Sequence, residues 1–210
     1  MKGSFITFEG IEGSGKSTQI MRLEHELREQ GKEVMLLREP GGVKISEKIR
    51  EILLDNAHTE MGGRCETLLY MAARAQLVAE VLQPALSSGK IVLCDRFLDS
   101  TIVYQGYGVG VNINDILAIG LFATQNIQPD LTVLLDVDVA QGLSRIVQKK
   151  DRIEARDHSY HQKVREGYLA LAKKFPGRIK VVKGEAPVED IHQSVMIYVK
   201  QCLDQSHERH

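Results

Sequence analysis

Gly10-Ile11-Glu12-Gly13-Ser14-Gly15-Lys16-Ser17 fits the pattern G-x-x-x-x-G-K-[ST], and its flanks decide how the chain is read. The apolar run at 4–8 (Ser-Phe-Ile-Thr-Phe) predicts a buried strand just before it. After it, Ile20, Leu23 and Leu27 recur at helical spacing over 18–30, and Gly31 supplies a stop. Strand, glycine loop and helix are the context in which this pattern cradles a polyphosphate. The glycines let backbone N–H groups turn inward, and the positive end of the helix dipole points at the same place. Lys16 is expected to reach the β- and γ-phosphates, and the Ser17 hydroxyl to ligate Mg²⁺. Residues Gly10 through Thr18 are therefore the expected nucleotide contacts. What is done with the nucleotide does not follow from the motif.

Working outward, strands and helices alternate. Further strands are predicted at 33–37, 91–95, 131–136 and 178–182, and helices at 44–54, 67–86, 112–125, 139–148, 160–175 and 188–203. Arg38-Glu39-Pro40-Gly41-Gly42 reads as a turn, and Asn112 or Asn114 as a helix cap. The tail from Ser206 to His210 reads as a solvated end. This alternation predicts an α/β fold of three layers, a central parallel sheet of about five strands with helices on both faces. Such sheets bind ligands at the carboxyl ends of their strands.

The chain has 210 residues, enough for one domain with a full core. Its net charge of −1 gives no basic field to recruit nucleic acid. No apolar run approaches the length of a membrane span, and the first strand follows Met1-Lys2-Gly3 too closely for a signal peptide. Cys65, Cys94 and Cys202 are odd in number and widely spaced, which points to a reducing, cytoplasmic setting. His158 and His161 could share a helix face but read as surface residues, since no partner cluster accompanies them.

Asp95 and Asp136 each close an apolar strand, and either could serve the magnesium shell opposite Ser17. Asp95 is favoured because Arg96 follows it, putting a carboxylate and a guanidinium at one strand end. Arg38 ends the second strand and could face the same crevice or solvent, while Arg50 reads first as a surface charge. Arg74 lies in an otherwise apolar helix, where a charge must be paired or face a cavity. Tyr70 sits four residues earlier on the same face, a pairing of ring and guanidinium suited to a base. Residues 148–159 are densely charged and join two helices, so a mobile lid competes with a solvated loop. The glycine loop has Glu12 and no arginine at its variable positions. A second cation for the γ-phosphate must come from elsewhere, with Lys149, Lys150 and Arg152 available and Arg145 next.

These segments resemble the bacterial thymidylate kinases, P-loop enzymes that phosphorylate dTMP with ATP. Phe8 through Thr18 looks like their phosphate loop, with its acidic Glu12. Arg38 to Gly42 looks like their second motif, and Asp151-Arg152-Ile153-Glu154 like their lid. Leu93-Cys94-Asp95-Arg96-Phe97-Leu98-Asp99-Ser100-Thr101-Ile102-Val103-Tyr104-Gln105 is similar to their signature. The resemblance implies the P-loop NTPase fold and ATP and Mg²⁺ as donor and cofactor. It also implies a homodimer and a step toward dTTP. By the same resemblance, Arg38 and Arg96 hold the dTMP phosphate, Tyr70 stacks on thymine and Arg74 hydrogen-bonds it. Arg50, Thr101 and Gln105 complete the nucleoside pocket, with Glu39 and Ser100 among its contacts. Glu12 approaches the deoxyribose hydroxyl, Tyr104 crowds the place of a ribose 2′-hydroxyl, Asp95 serves magnesium and Arg145 joins the ATP site. Of the two versions of this family, one with a basic residue in the phosphate loop and one with it in the lid, the chain is similar to the second, with Arg152 the first choice among Lys149, Lys150 and Arg152 to reach the γ-phosphate.

Two other readings compete. A kinase for another nucleoside monophosphate or a deoxynucleoside is disfavoured by Tyr70, Arg74 and the segment 95–105. A nucleotide-driven switch or motor is disfavoured by the lack of an N-K-x-D segment and of a basic face.

Overall fold

β1 (Ser4–Glu9) is buried at every residue and lies in the middle of a five-stranded parallel sheet. The structure is a computed structural model and describes residues 3–147 and 150–208. The other strands are β2 (Val34–Arg38), β3 (Ile91–Asp95), β4 (Leu131–Asp136) and β5 (Ile179–Lys183), in the order β2-β3-β1-β4-β5. β3 and β4 pair on opposite sides of β1: Phe8 stands beside Asp95 on one side and Val133 on the other. Strand addition changes direction at β1, which opens a crevice at the carboxyl ends. Asp95, Arg38 and Asp136 all end strands at that rim.

Successive strand residues point to opposite faces, so two cores form. On one face Ile6 and Phe8 meet Ile20, Leu23 and Leu27 of α1 (Lys16–Glu29) and Val195 and Val199 of α9 (Val188–Glu208). On the other, Phe5 and Val92 pack on Val78, Leu82 and Phe97. The same side carries Val103, Tyr104, Val164 and Tyr168, the last two on α8 (His158–Lys174). The remaining helices are α2 (Lys44–Leu54), α3 (Gly63–Leu77), α4 (Gln83–Ser87), α5 (Leu98–Thr101), α6 (Ile113–Ala123) and α7 (Val139–Ser144). Among the described residues no helix is long and apolar enough to cross a membrane.

The expected elements are present, with four differences. α3 begins at Gly63, where the sequence suggested a loop, and runs through a π-helical turn (Val78–Leu82) into α4. A helical stretch was not anticipated after β3: α5 continues as a π-helical segment (Ile102–Val109). Gly106 and Gly108 lie inside it and Gly110, at φ 90, ends it, so the stretch carries little intrinsic helix signal. α7 stops at Ser144, short of the expected 148, which itself lies outside the described residues. α9 continues to Glu208, since neither glycine nor proline interrupts it after 188.

Candidate active site

The glycine loop leaves β1 and turns into α1, with Gly15 as a left-handed N-cap at φ 93. Gly13 sits at φ 69, and a Cβ there would lie 2.0 Å from the Gly142 carbonyl oxygen of α7. The loop thus rests directly on α7, and glycine is required by contact as well as by conformation. Lys16 folds back into the loop and donates from Nζ to the carbonyls of Gly10 (3.1 Å) and Ile11 (3.0 Å). Burial, with Arg96 nearby, pulls its pKa down to about 8.

Ser17 donates from Oγ to Asp95 Oδ2 at 3.3 Å. These two oxygens are hard donors suited to Mg²⁺, which keeps waters and substrate phosphates as its other ligands. Among the described residues no group of three or more His, Cys, Asp or Glu could hold a metal ion unaided. Asp136 is committed elsewhere: Arg165 donates to both its oxygens, at 2.7 and 3.2 Å. A cavity of about 550 Å³ opens beside the loop, lined by Lys16, Ser17, Thr18, Arg145, Gly184 and Val188 among others. Arg145 donates from Nη1 to the Gly13 carbonyl at 3.0 Å.

Arg96 lines a second cavity and reaches back from it to the glycine loop. Its backbone is left-handed at φ 69, a costly conformation that the surroundings must enforce. The enforcing group is Glu9, fully buried at the end of β1. Its Oε1 accepts the Phe97 N–H at 2.8 Å, and its Oε2 accepts the hydroxyls of Ser100 (2.6 Å) and Tyr168 (2.8 Å). The Arg96 guanidinium then donates to the Gly10 carbonyl at 3.0 Å and to Glu12 Oε1 at 3.1 Å, over the ring of Tyr104. Tyr104 also donates to Glu12 Oε1, at 2.6 Å. Burial opposes ionisation of Glu12, but Arg96, His161, Lys16 and Tyr104 together hold its pKa at about 2.

The second cavity, about 150 Å³, is lined by Glu12 and Arg96 at one end and by Tyr70, Arg74, Thr101 and Gln105 toward the other. Glu39, Arg50, Ser100 and Tyr104 also line it. Arg74 is buried and paired, as its apolar helix demanded. It donates from Nε to Glu39 at 2.7 Å, from Nη2 to the Phe97 carbonyl and Thr101 Oγ1 at 3.0 Å each, and from Nη1 to Met71 Sδ at 3.2 Å. Of the five N–H groups of a guanidinium, one on Nη1 keeps no protein partner among the described residues. Arg50 donates to the Pro40 carbonyl at 2.9 Å. Arg38 lies at the rim, half exposed and forked onto both oxygens of Glu47 at 2.8 and 3.0 Å.

The charged segment is not a solvated loop where it is described. Asp151, Ile153 and Glu154 line the second cavity, and Ile153 is buried. Arg152 does not face the glycine loop here. It donates from Nε to the Leu53 carbonyl at 2.8 Å, and its Nη1 lies 2.6 Å from Glu66 Oε2. The cause is Glu66, a fully buried carboxylate that must be paired. Lys149 lies outside the described residues.

Sequence reasoning missed Glu66 and misread His161. Glu66, Tyr70 and Arg74 are spaced four apart on one face of α3; starting the helix at 67 cut the first of them off. His161 is buried, not on the surface, and its Nδ1 stands 3.5 Å from Glu12 Oε2, long for a hydrogen bond but close for an ion pair. Its spacing to Val164 and Tyr168, both buried, was the available signal.

Comparison with known proteins points to one family. The family model described as thymidylate kinase matches residues 8–195. A thymidylate kinase of Geobacillus sp. (strain WCH70) is 50% identical over 91% of this chain and 93% of its own length. One from Clostridium novyi is 44% identical over 95% and 99%. The crystal structure of thymidylate kinase from Ehrlichia chaffeensis superposes with a TM-score of 0.79 at 34% identity, covering 95% of this chain and 99% of that one.

Glu9 makes the site sensitive to pH through stability. Burial chiefly, with the negative charge of Asp99, raises its pKa from 4.5 to about 7. The folded state therefore holds a proton that the unfolded chain gives up, and stability falls as pH rises through that window. Glu9→Gln keeps an acceptor for the Phe97 N–H and has no proton to lose. Urea unfolding across pH 4.5 to 7 is expected to show a shallower loss of stability in the variant; equal slopes would count against the assignment.

Proposed function

Since the chain belongs to the thymidylate kinase family, we propose that it moves the γ-phosphoryl group of Mg·ATP onto the phosphate of dTMP, giving dTDP and ADP. The observation that carries this reading is that Arg96 bonds to the glycine loop while lining a cavity shared with Tyr70, Arg74 and Gln105. A dTMP phosphate oxygen attacks the γ-phosphorus, the bond to the β,γ-bridging oxygen breaks, and ADP leaves with that oxygen's charge. The acceptor is already an anion, so positioning and charge neutralisation dominate over general-base help.

ATP lies along residues Gly10 to Thr18, with Arg145 beside it, and Lys16 turns from the loop carbonyls to the β- and γ-phosphates. Ser17 and Asp95 would hold Mg²⁺, which would supply neutralisation of the phosphate charge. Arg96 and Arg38 hold the dTMP phosphate, Arg38 exchanging Glu47 for it. Tyr70 stacks on thymine, and the remaining Nη1 donor of Arg74 meets the C4 carbonyl. Arg50, Glu39, Ser100, Thr101 and Gln105 complete the wall. Glu12, held ionised, accepts from the deoxyribose hydroxyl, and Tyr104 occupies the space of a 2′-hydroxyl.

The chain works as a homodimer in the cytoplasm, a location that cell fractionation tests and that its unpaired Cys65 and Cys94 support. Support for the dimer comes from apolar side chains left outside on two neighbouring helices: Leu68 on α3, and Leu121 and Phe122 on α6, Phe122 being 85% exposed. Phe122→Glu is expected to halve the mass in light scattering; a parent that is itself monomeric would end the idea.

Base choice follows from the cavity. Losing the thymine methyl costs about 1–3 kcal/mol, as for one methylene in an apolar pocket. dUMP is therefore a weak substrate, and dCMP is far worse because its 4-amino edge leaves Arg74 mismatched, while dGMP is far worse because a purine is too large for a cavity of about 150 Å³. ADP release measured with each monophosphate checks this; comparable kcat/KM for dCMP and dTMP would sink the pocket assignment.

The lid at 148–159 supplies a second cation for the transferring group. Arg152, Lys149 and Lys150 are its candidates, Arg152 after release from Glu66. Replacing the one that acts by alanine is expected to lower kcat by ~10²-fold with little change in KM for dTMP. If all three variants turn over like the parent, the lid is not catalytic and Arg145 becomes the cation to test.

A further inference from the structure

Glu66 has no role in the reaction as drawn above, yet its side chain is fully buried beside the acceptor cavity. Its Oε1 accepts from Gln105 Nε2 at 2.9 Å. Its Oε2 accepts from Arg156 Nη2 at 2.7 Å and lies 2.6 Å from Arg152 Nη1. A carboxylate in such a place is tolerated only when its oxygens are filled. Here three donors fill them. One comes from the π-helical segment in the cavity wall and two from the segment above it.

The consequence falls on Gln105. A primary amide has an accepting end and a donating end of nearly the same shape. A carboxylate offers acceptors only, so the end that meets Glu66 is the NH₂. Gln105 also lines the cavity, and its Oε1 has no protein partner among the described residues. Arg152 and Arg156 grip Glu66 from the opposite side and so fix the carboxylate that fixes the amide. Arg156 is itself held over the Tyr160 ring, 4.5 Å from its centroid.

We propose that Glu66 is a positioning residue for base selection: by locking the Gln105 amide, it presents Oε1 as an acceptor in the same cavity that Arg74 lines with its remaining Nη1 donor. Thymine offers the matching edge, a C4 carbonyl that accepts and an N3–H that donates. Cytosine offers the reverse at both positions, a 4-amino group that donates and an N3 that accepts. A freely turning amide would accommodate either base at N3; a locked one rejects cytosine there too. This inference rests on the cavity being the pyrimidine site.

The test is a double-variant cycle read as the ratio of kcat/KM for dTMP to that for dCMP. The variants are Glu66→Gln, Gln105→Ala and both together. A glutamine at 66 can donate or accept, which frees the Gln105 amide to turn. The ratio is expected to fall ~10-fold in Glu66→Gln, mostly through KM, the size of one charge-assisted hydrogen bond. Adding Glu66→Gln to Gln105→Ala is expected to change the ratio no further. If Gln105→Ala leaves the ratio at the parent value, the pyrimidine site itself is misassigned. If Gln105→Ala lowers it and Glu66→Gln does not, or if Glu66→Gln acts equally in both backgrounds, the positioning role is overturned. Proton exchange of the Gln105 side-chain amide in the parent protein gives a readout that survives a misfolded variant. Its NMR signals, assigned by their loss in Gln105→Ala, are expected to exchange at least ~10-fold slower than those of solvent-exposed glutamines. Exchange at the exposed rate overturns the lock.

Discussion

The site depends on one buried carboxylate accepting from one backbone N–H. Glu9, at the end of the central strand, takes the Phe97 N–H and two hydroxyls, and this holds Arg96 in a left-handed conformation. Without that turn the chain would leave β3 in an extended direction, and the Arg96 guanidinium would not reach back to Gly10 and Glu12. The geometry links three elements: β1 supplies the acceptor, the turn after β3 supplies the cation, and α8 supplies Tyr168. Strain of this kind costs on the order of 1–3 kcal/mol and persists only where packing over-determines it. The reward is a cation fixed between the glycine loop and the second cavity by the protein's own bonds, so little reorganisation remains for the reacting state.

Charges around the cavities are arranged so that none is buried alone. Arg74 is matched by Glu39, Arg96 by Glu12, Arg165 by Asp136, and Glu66 by two arginines. Glu9 and Lys16 are the exceptions. Glu9 is held by a backbone N–H and two hydroxyls, and the Lys16 Nζ by neutral carbonyls of its own loop, with burial first and Arg96 second depressing its pKa. A phosphate in the loop would bring its negative charge directly to this ammonium group.

The sheet and the glycine loop were legible because they are local. Each strand is a short apolar run, and the loop motif carries its own flanks. Arg74 was legible as a charge needing a partner, though not that the partner would be Glu39, across a turn far away in sequence. Gln105 and Glu66 show where such reasoning stops. Their bond joins residues 39 apart through a helix start that glycines concealed and a π-helical segment with weak propensity. Arg152 was read from its charge and its place in a loop, which cannot reveal that a buried carboxylate competes for it.

That competition also bears on how the segment above the cavity could move. A buried ion pair is costly to break because the charge left behind is uncompensated. Glu66 holds two guanidiniums on one oxygen, so Arg152 can leave while Arg156 stays and the carboxylate remains paired. Arg152 is the more confined of the two, with 10% of its side chain exposed against 24%, and it also holds the Leu53 carbonyl of α2. Its departure therefore requires the chain around Arg152 to lift from α2, whereas Arg156 can remain seated on Tyr160. The doubled pairing makes Glu66 able to release one cation without losing its grip on Gln105, so movement above the cavity and base selection within it need not disturb each other.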